Sequence, residues 1–414
     1  MQWRIEPTAS LPGRRAFLIG SGVALLAAAC GTGSTSGAST TGPIRIGASL
    51  PLTGPVADVS KPGLQGYEAW RKKVNDSGGL LGRQVEFVVH DDGFDQNTVV
   101  ANYNRLISQD RVDLLVGTFS SFLNLPASAV AERHGMVYVE PSGGAAEIFE
   151  RGLKRLFFAQ AGTTKDVPDR FVAYVESIPQ AERPATAAYC TQNDPSADVP
   201  ITIFREKFEA LGIRTVYNQN YPPETANFDA MAGTIAQAKP DLLVHGAVTG
   251  DGVAMIRSLQ KVGFSPKLLF QTKSPSDPLT FPDGVGKANT EGIFTTAAWH
   301  PKATTPGNVD FVAAYKAQFN EEPTEDAASS YTAAQVLQAA VQAVGKIDQA
   351  AIAEWLHANP VPTVSGTLAW DERGVPKSSL LLVQWQKGQI EVVAPAEAAT
   401  STSVVRPKPG WAAG

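Results

Sequence analysis

Two short runs of small polar residues carry the most suggestive chemistry in the chain: Ser120-Ser121, and further on Ser142-Gly143-Gly144. Each follows an apolar run, Leu114 to Val116 and Met136 to Val139, and a helical pattern with apolar Ala127, Val130 and Ala131 lies between them. A loop that leaves a parallel strand and enters a helix presents backbone N–H groups with no intrahelical partner, and serine hydroxyls add donors. Two such loops at one sheet edge can hold a small anionic group such as a carboxylate. Taken alone, an ordinary strand-to-helix turn is the commoner reason for such a loop.

The remaining reactive residues form no catalytic pattern. Asp91-Asp92 at a strand end could be paired acid–base carboxylates, but Gly93 and Asp95 beside them favour capping and solvation of a helix start. His90, His134, His245, His300 and His357 are scattered and lack the ligand spacing of a zinc site. Cys190 ends a strand-like run, where a buried small hydrophobe is the usual case. No G-x-S-x-G elbow or phosphate-binding P-loop occurs, and Gly31-Thr32-Gly33 follows no strand. No catalytic residue, metal ligand or cofactor site is therefore expected, and the chain is read as a non-enzyme.

These loops sit inside a regular alternation. Ile44 to Leu50, Val85 to Val89, Leu114 to Val116 and Met136 to Val139 read as strands. Between the first two, Leu64, Tyr67, Trp70 and Val74 mark a helix, and between the next two, Val99, Tyr103, Leu106 and Ile107 mark another, capped by Asp95. A second series runs from Leu156 to Gln271, with helices expected over 167–178, 203–211, 228–238 and 253–262. Two successive βα series imply two doubly wound parallel sheets, an α/β architecture. Beyond Gly292 the pattern changes to helices around Phe311 and from Ala333 to Val344, then strands ending in a turn at Lys387-Gly388. The Ala/Thr/Ser/Pro-rich tail, 396–414, is expected to be poorly ordered.

The 414 residues suffice for more than one domain; 43% are hydrophobic, and a net charge of −5 excludes the basic footprint of a nucleic-acid binder. Residues 1–30 have an export-signal layout: Arg14-Arg15, an apolar stretch from Val23, and Ala27-Ala28-Ala29-Cys30, which resembles a bacterial lipobox. The paired arginines resemble a twin-arginine signal, with Gly13 and Ile19 departing from the usual pattern. Cys30 is the expected lipid anchor, and 31–42 a flexible tether that holds an exported domain off a membrane.

The order of motifs resembles the type I periplasmic solute-binding proteins of ABC transporters, in particular the branched-chain amino acid (leucine/isoleucine/valine)-binding family. The resemblance runs from about Ile44 to Pro395. Its pieces are Leu52 to Pro55, Asn75 to Gly82, Val89 to Asp92, Val116-Gly117 with Ser120-Ser121, Pro141 to Glu147, Ile256 to Gly263, Tyr331 to Leu337, and Gly366 to Asp371 with Gly374. It implies two doubly wound lobes joined by a three-strand hinge. Lobe one would hold 43–162 and 295–375, and lobe two 163–294 and 376–395, closing on a small molecule.

The resemblance also implies a ligand set. Ser121, beside Ser120, aligns with the family's first-loop hydroxyl, and Ser142, Gly143 and Gly144 with the second loop, where Gly144 replaces a threonine. Val59, Asp194 and Val248 stand at tyrosine positions, and Lys273 near the glutamate that meets a ligand ammonium. A lysine cannot pair with an ammonium, so Asp194, or Asp251 with Thr249 in the following loop, is the expected substitute, unless the ligand has no amine. Trp299 or Tyr331 could supply an apolar wall, with Tyr331 more readily explained by packing. The implied function is an exported, lipid-anchored binding component of an ABC importer that delivers an amino acid or related carboxylate to permease and ATPase subunits. The alternative is a ligand-sensing receptor domain that signals to a membrane partner.

Overall fold

The computed structural model describes residues 42–54, 56–247, 250–278 and 280–412. The expected export signal, Cys30, the tether up to Thr41, and Val248 and Thr249 lie outside the described residues.

The first lobe is built from β1 (Ile44–Leu50), α1 (Ala57–Asp76), β2 (Val85–Asp91), α2 (Gln96–Ser108), β3 (Leu114–Val116), α3 (Ser120–Arg133), β4 (Tyr138–Glu140), α4 (Ala146–Phe149) and β5 (Leu156–Phe158). Its sheet is parallel, in the order β2-β1-β3-β4-β5. Alternate residues along each strand supply two different cores. Leu114, Val116, Val137 and Val139 join Tyr67 and Trp70 of α1 on one face, while Leu115 and Tyr138 join Tyr103, Leu123 and Ala127 on the other. Both faces being covered explains why these strands read as continuous apolar runs. The Asp95 cap is formed as expected, its side chain accepting from the Thr98 N–H.

The second lobe repeats the plan with α5 (Val167–Ser177), β6 (Thr186–Gln192), α6 (Pro195–Ala210), β7 (Arg214–Tyr221), α7 (Asp229–Ala238), β8 (Leu242–Gly246), α8 (Gly250–Lys261), β9 (Leu268–Gln271), α9 (Thr280–Val285) and β10 (Ile293–Ala297). The chain then adds α10 (Asn308–Phe319), α11 (Glu325–Val344), α12 (Gln349–Ala358) and the small β11 (Val361–Thr363)/β12 (Gly366–Leu368) hairpin to the first lobe. It crosses again to place β13 (Leu381–Gln386) and β14 (Gln389–Ala394) on the second. The second sheet runs β14-β13-β10-β9-β8-β6-β7, with β13 antiparallel both to β10 and to β14, which it joins through the Lys387-Gly388 turn. In both sheets the parallel strands take the same doubly wound order, which brings the carboxyl edges and their loops to a ligand-binding position.

Helix α11 lies directly on α1, and the contact depends on Gly66. A β-carbon there would stand 2.0 Å from the Ala327 carbonyl oxygen, so only glycine lets the two backbones approach. The packing holds the amino-terminal turn of α11 beside the cradle loops.

Two expectations fail. Helix α6 starts at Pro195 instead of near Ile203, because Asp194 caps it, its carbonyl accepting from Ala197 and Asp198 N–H; an Asp-Pro start was legible. The tail from Ala396 is held to the second lobe. Val405 N–H donates to Gln384 Oε1, Trp411 Nε1 donates to the Phe264 carbonyl at 2.7 Å, and the buried Lys408 ammonium sits 3.6 Å from the Trp411 ring centre. Its composition resembles a linker, but those anchors supply the order.

Candidate functional site

Asn124 joins the two cradle loops. Its buried amide Nδ2 donates to the carbonyls of Thr118 and Ser120, both at 3.0 Å, and to that of Ser142. Its Oδ1 accepts from Thr118 N–H at 3.1 Å and from the Tyr138 hydroxyl at 2.7 Å. The Ser120 N–H reaches Ser142 Oγ at 3.3 Å, and the Ala145 N–H reaches Ser121 Oγ at 3.2 Å. The two loops therefore form one unit at the amino terminus of α3, where free N–H groups favour an anion.

Ser120 is the first residue of α3 and has φ +67°, a left-handed conformation that costs a non-glycine residue energy. Its Oγ is buried without a hydrogen-bond partner among the described residues. Gly143, at φ +140°, brings its backbone so close that a β-carbon would lie 3.1 Å from the Ser121 nitrogen. The Gly144 carbonyl accepts from both the Thr164 N–H and hydroxyl, at 3.0 and 3.1 Å, which ties the second loop to the start of the second lobe. Asp91 and Asp92 act as supports: Asp91 accepts from Leu52 and Gly93 N–H groups, and Asp92 from the Ser49 and Thr118 hydroxyls.

A cavity of about 10 Å³, enough for roughly one water, lies against these loops. Leu50, Ser60, Gly63, Thr118, Phe119, Pro141, Ser142, Asp326 and Ser330 line it. From the second lobe, Lys273 places its Nζ 5.7 Å from the ring centre of Phe119, one of the lining residues. Burial raises the Asp326 carboxyl above the usual range, and Lys273 partly opposes that shift. Glu325 is raised to about 7 by burial, while the Ala298 N–H that it accepts at 2.9 Å draws it down.

The other expected residues divide between the lobes. Asp251 is buried at the start of α8, accepting from the Tyr221 hydroxyl at 2.7 Å and Gln192 Nε2 at 3.3 Å. Tyr221 also contacts His245 Nε2 at 2.7 Å, and Gln271 Nε2 reaches His245 Nδ1 at 2.9 Å. Asp194 caps α6 at the neighbouring strand end. Thr249 and Val248 lie outside the described residues, as does the Val59 side chain. Trp299 is 5% exposed, meets Phe311 edge-on, and donates Nε1–H to Asn308 Oδ1 at 2.7 Å; with Ala161, His300 and Leu381 it also lines a cavity of about 230 Å³, apart from the cradle loops. Tyr331 packs on the same Phe311 ring.

Sequence reasoning missed Asn124, Ser60, Phe119 and Asp326. Asn124 interrupts an apolar stretch, Leu123 to Leu125, one helical turn after Ser120, and that spacing is a legible signal. Asp326 had none, since acidic residues are ordinary in a helix's first turn. Cys190 is fully buried, and burial pushes its thiol far above the reactive range. Among the described residues no group of three or more His, Cys, Asp or Glu could hold a metal ion.

The Periplasmic binding protein family matches residues 43–389. An amino acid binding protein of Pseudomonas aeruginosa is 26% identical over 343 residues, spanning 82% of this chain and 89% of that one. Among solved structures, the branched-chain amino acid transporter substrate binding protein LivJ from Streptococcus pneumoniae, in complex with isoleucine, superposes with a TM-score of 0.73 at 18% identity. That match covers 84% of this chain and 98% of the other. A solute binding protein of an R. palustris ABC transporter, in complex with benzoate, gives 0.72 at 21% identity, covering 87% and 98%. With the repeated type I doubly wound lobes and a family match over most of its length, the chain belongs to the periplasmic binding protein family, whose members bind substrates and are not enzymes.

Proposed function

We propose that the chain is the extracytoplasmic binding component of an ABC importer and captures an amino acid or related small carboxylate between its lobes. The observation that carries this reading is the Asn124-tied cradle: strained Ser120 at the amino terminus of α3, with Ser121 and Ser142 beside it and Lys273 facing it from the other lobe. N–H groups and hydroxyls at one sheet edge, with an ammonium nearby, suit a carboxylate. The ligands named for two of the structural neighbours, isoleucine and benzoate, share a carboxylate and little else.

Delivery to a membrane permease with its ATPase follows from family membership and the export-signal layout, with Cys30 as the lipid anchor and 31–42 as the tether. Among the described residues no helix is long and apolar enough to cross a membrane. Calorimetric titration with amino acids, amides and aromatic acids tests the substrate class: at least one carboxylate binds at micromolar strength or tighter, and a uniformly silent panel overturns it. Radiolabelled palmitate incorporation, abolished by Cys30→Ser, tests the anchor.

A further inference from the structure

Both cradle loops rest on an acid that nothing answers. Glu140 is the last residue of β4 and leads through Pro141 into the second loop. It also packs on the first, since a β-carbon on Gly117 would stand 2.7 Å from the Glu140 β-carbon and 2.9 Å from Asn124 Oδ1. Its side chain is fully buried, and among the described residues neither carboxyl oxygen has a hydrogen-bond partner. Buried polar groups are normally satisfied, so this one calls for an explanation.

The groups that face it are engaged elsewhere. The Tyr67 hydroxyl of α1 donates to the Gly117 carbonyl at 3.1 Å, that of Tyr103 on α2 to the Val116 carbonyl at 2.7 Å, and that of Tyr138, on the same strand as Glu140, to Asn124 Oδ1 at 2.7 Å. From α3 comes Asn124, which does not titrate, and β5 pairs Phe158 with Glu140. The cation whose field reaches the acid is Arg151, just past α4; it is exposed, and its guanidinium donates to the Ile148 and Leu125 carbonyls and to Ser128 Oγ. Burial raises the Glu140 carboxyl well above the usual range against that pull. An ionised carboxylate here would lose its hydration without replacement, so the fold keeps the neutral acid. Packing alone does not call for an acid, because an apolar residue of similar size would fill the place without that cost.

We infer, resting on the carboxylate-binding reading above, that Glu140 decides which charge the cradle accepts: as a neutral acid it leaves the donors of the two loops open to an anion, and carboxylate binding is coupled to the proton it carries. A ligand carboxylate on the loops and an ionised Glu140 behind them are like charges, one of them shut away from water, so each disfavours the other. The occupied protein therefore holds the Glu140 proton to a higher pH than the empty one. Above the pH at which the empty protein releases that proton, binding takes one up from water or buffer acid onto a Glu140 oxygen, and affinity falls as the pH rises. Below it no proton moves and affinity is level.

The test is calorimetry from about pH 6 to about pH 9.5, a range that spans the values of about 8–9 known for buried glutamates. Each titration is run in phosphate and in Tris, whose different heats of ionisation report the protons taken up. The probes are L-leucine and benzoate, joined by any other carboxylate that binds in the panel above. In the unaltered protein, affinity falls by roughly tenfold across the Glu140 titration, the effect of one unit charge at close range. At the midpoint, binding takes up about half a proton per ligand. Glu140→Gln, neutral at every pH, binds within about threefold of the parent at the acid end and lacks this fall and this uptake. The comparison cancels the titration of the ligand's amine, of Glu325 and of Asp326. Glu140→Met, apolar and of similar reach, is expected to lose the same two signals, and it decides the matter if the Gln variant fails to give a native thermal melt. Proton uptake and pH dependence equal in parent and variant, or a variant weakened by the same factor at every pH, overturn the inference while the carboxylate reading stands. If no carboxylate binds at any pH, the carboxylate reading falls and this coupling with it.

Discussion

Lys273 of the second lobe lies 5.7 Å from the ring centre of Phe119 in the first. The side chain is exposed, so its ammonium remains hydrated while its field reaches Glu325 and Asp326 across the cleft. That juxtaposition makes closure of the lobes sensitive to charge: two acids on one wall attract the lysine of the other, and an anionic ligand in the cradle competes for it.

Lys273→Gln removes the cation and keeps a side chain of similar reach. Carboxylate affinity is expected to fall by roughly tenfold to a hundredfold, about 1.4–2.7 kcal/mol, with unfolding midpoints unchanged because the residue is exposed. Calorimetry at two salt concentrations checks it: the loss shrinks as salt rises. Unaltered affinity would mean that Lys273 faces solvent in the bound form.

Asn124→Ala removes the tie between the loops. Three carbonyls lose their shared donor, and the Tyr138 hydroxyl and Thr118 N–H lose their acceptor, all in a buried setting. Unsatisfied buried groups cost about 1–3 kcal/mol each before relaxation, so a destabilisation of about 3–4 kcal/mol is expected, together with loss of ligand binding. Urea melts read the first and titration the second. Binding that survives within twofold would show that the cradle does not need its tie.

How much of this was legible depended on the range of the interaction. The strands around Leu114–Val116 and Leu242–Val244 read directly, because apolar runs bounded by small residues reflect a sheet covered on both faces. Serine loops at their ends read as a cradle for the same local reason. Asp326 did not, since what distinguishes it is the distant company of Ser60 and Thr118. The packing of Trp299 on Phe311 was not legible either, because an aromatic next to a lobe crossing reads the same whatever it packs on. The tail misled through composition: its order comes from individual anchors at Val405, Lys408 and Trp411.

Gly66→Ala tests how the packing of α1 on α11 sets up the site. With the new β-carbon 2.0 Å from the Ala327 carbonyl, the helices must separate. Overpacking of this kind costs about 1–3 kcal/mol. Ala327 follows Asp326 directly, so the displacement also moves the acid. The expected result is a lowered melt together with weaker carboxylate binding; a melt identical to the parent's would refute the backbone contact.

His245 gives the fold a defined acid limit. Burial drives its imidazole down to about 4, against an opposing pull from Asp251. The neighbours explain why the neutral form is kept: Gln271 Nε2 donates to Nδ1, which leaves the proton on Nε2 directed at the Tyr221 oxygen, and Tyr221 in turn donates to Asp251. A proton added at Nδ1 would face another donor. A histidine whose folded pKa is depressed binds fewer protons folded than unfolded between about 4 and 6.5, so its stabilising contribution is complete above that window and disappears as the pH falls through it. The loss is of order 3 kcal/mol at the acid end. Glu325, raised to about 7, acts in the opposite direction, its contribution falling as pH rises from its unfolded value; a difference between variants is therefore the proper measure. In urea melts at pH 7.0 and about pH 4.5, His245→Gln is expected to be less stable than the parent at neutral pH, because it breaks the chain of donors, and to lose less on acidification. A parent and variant that decline in parallel would show that His245 does not set the limit.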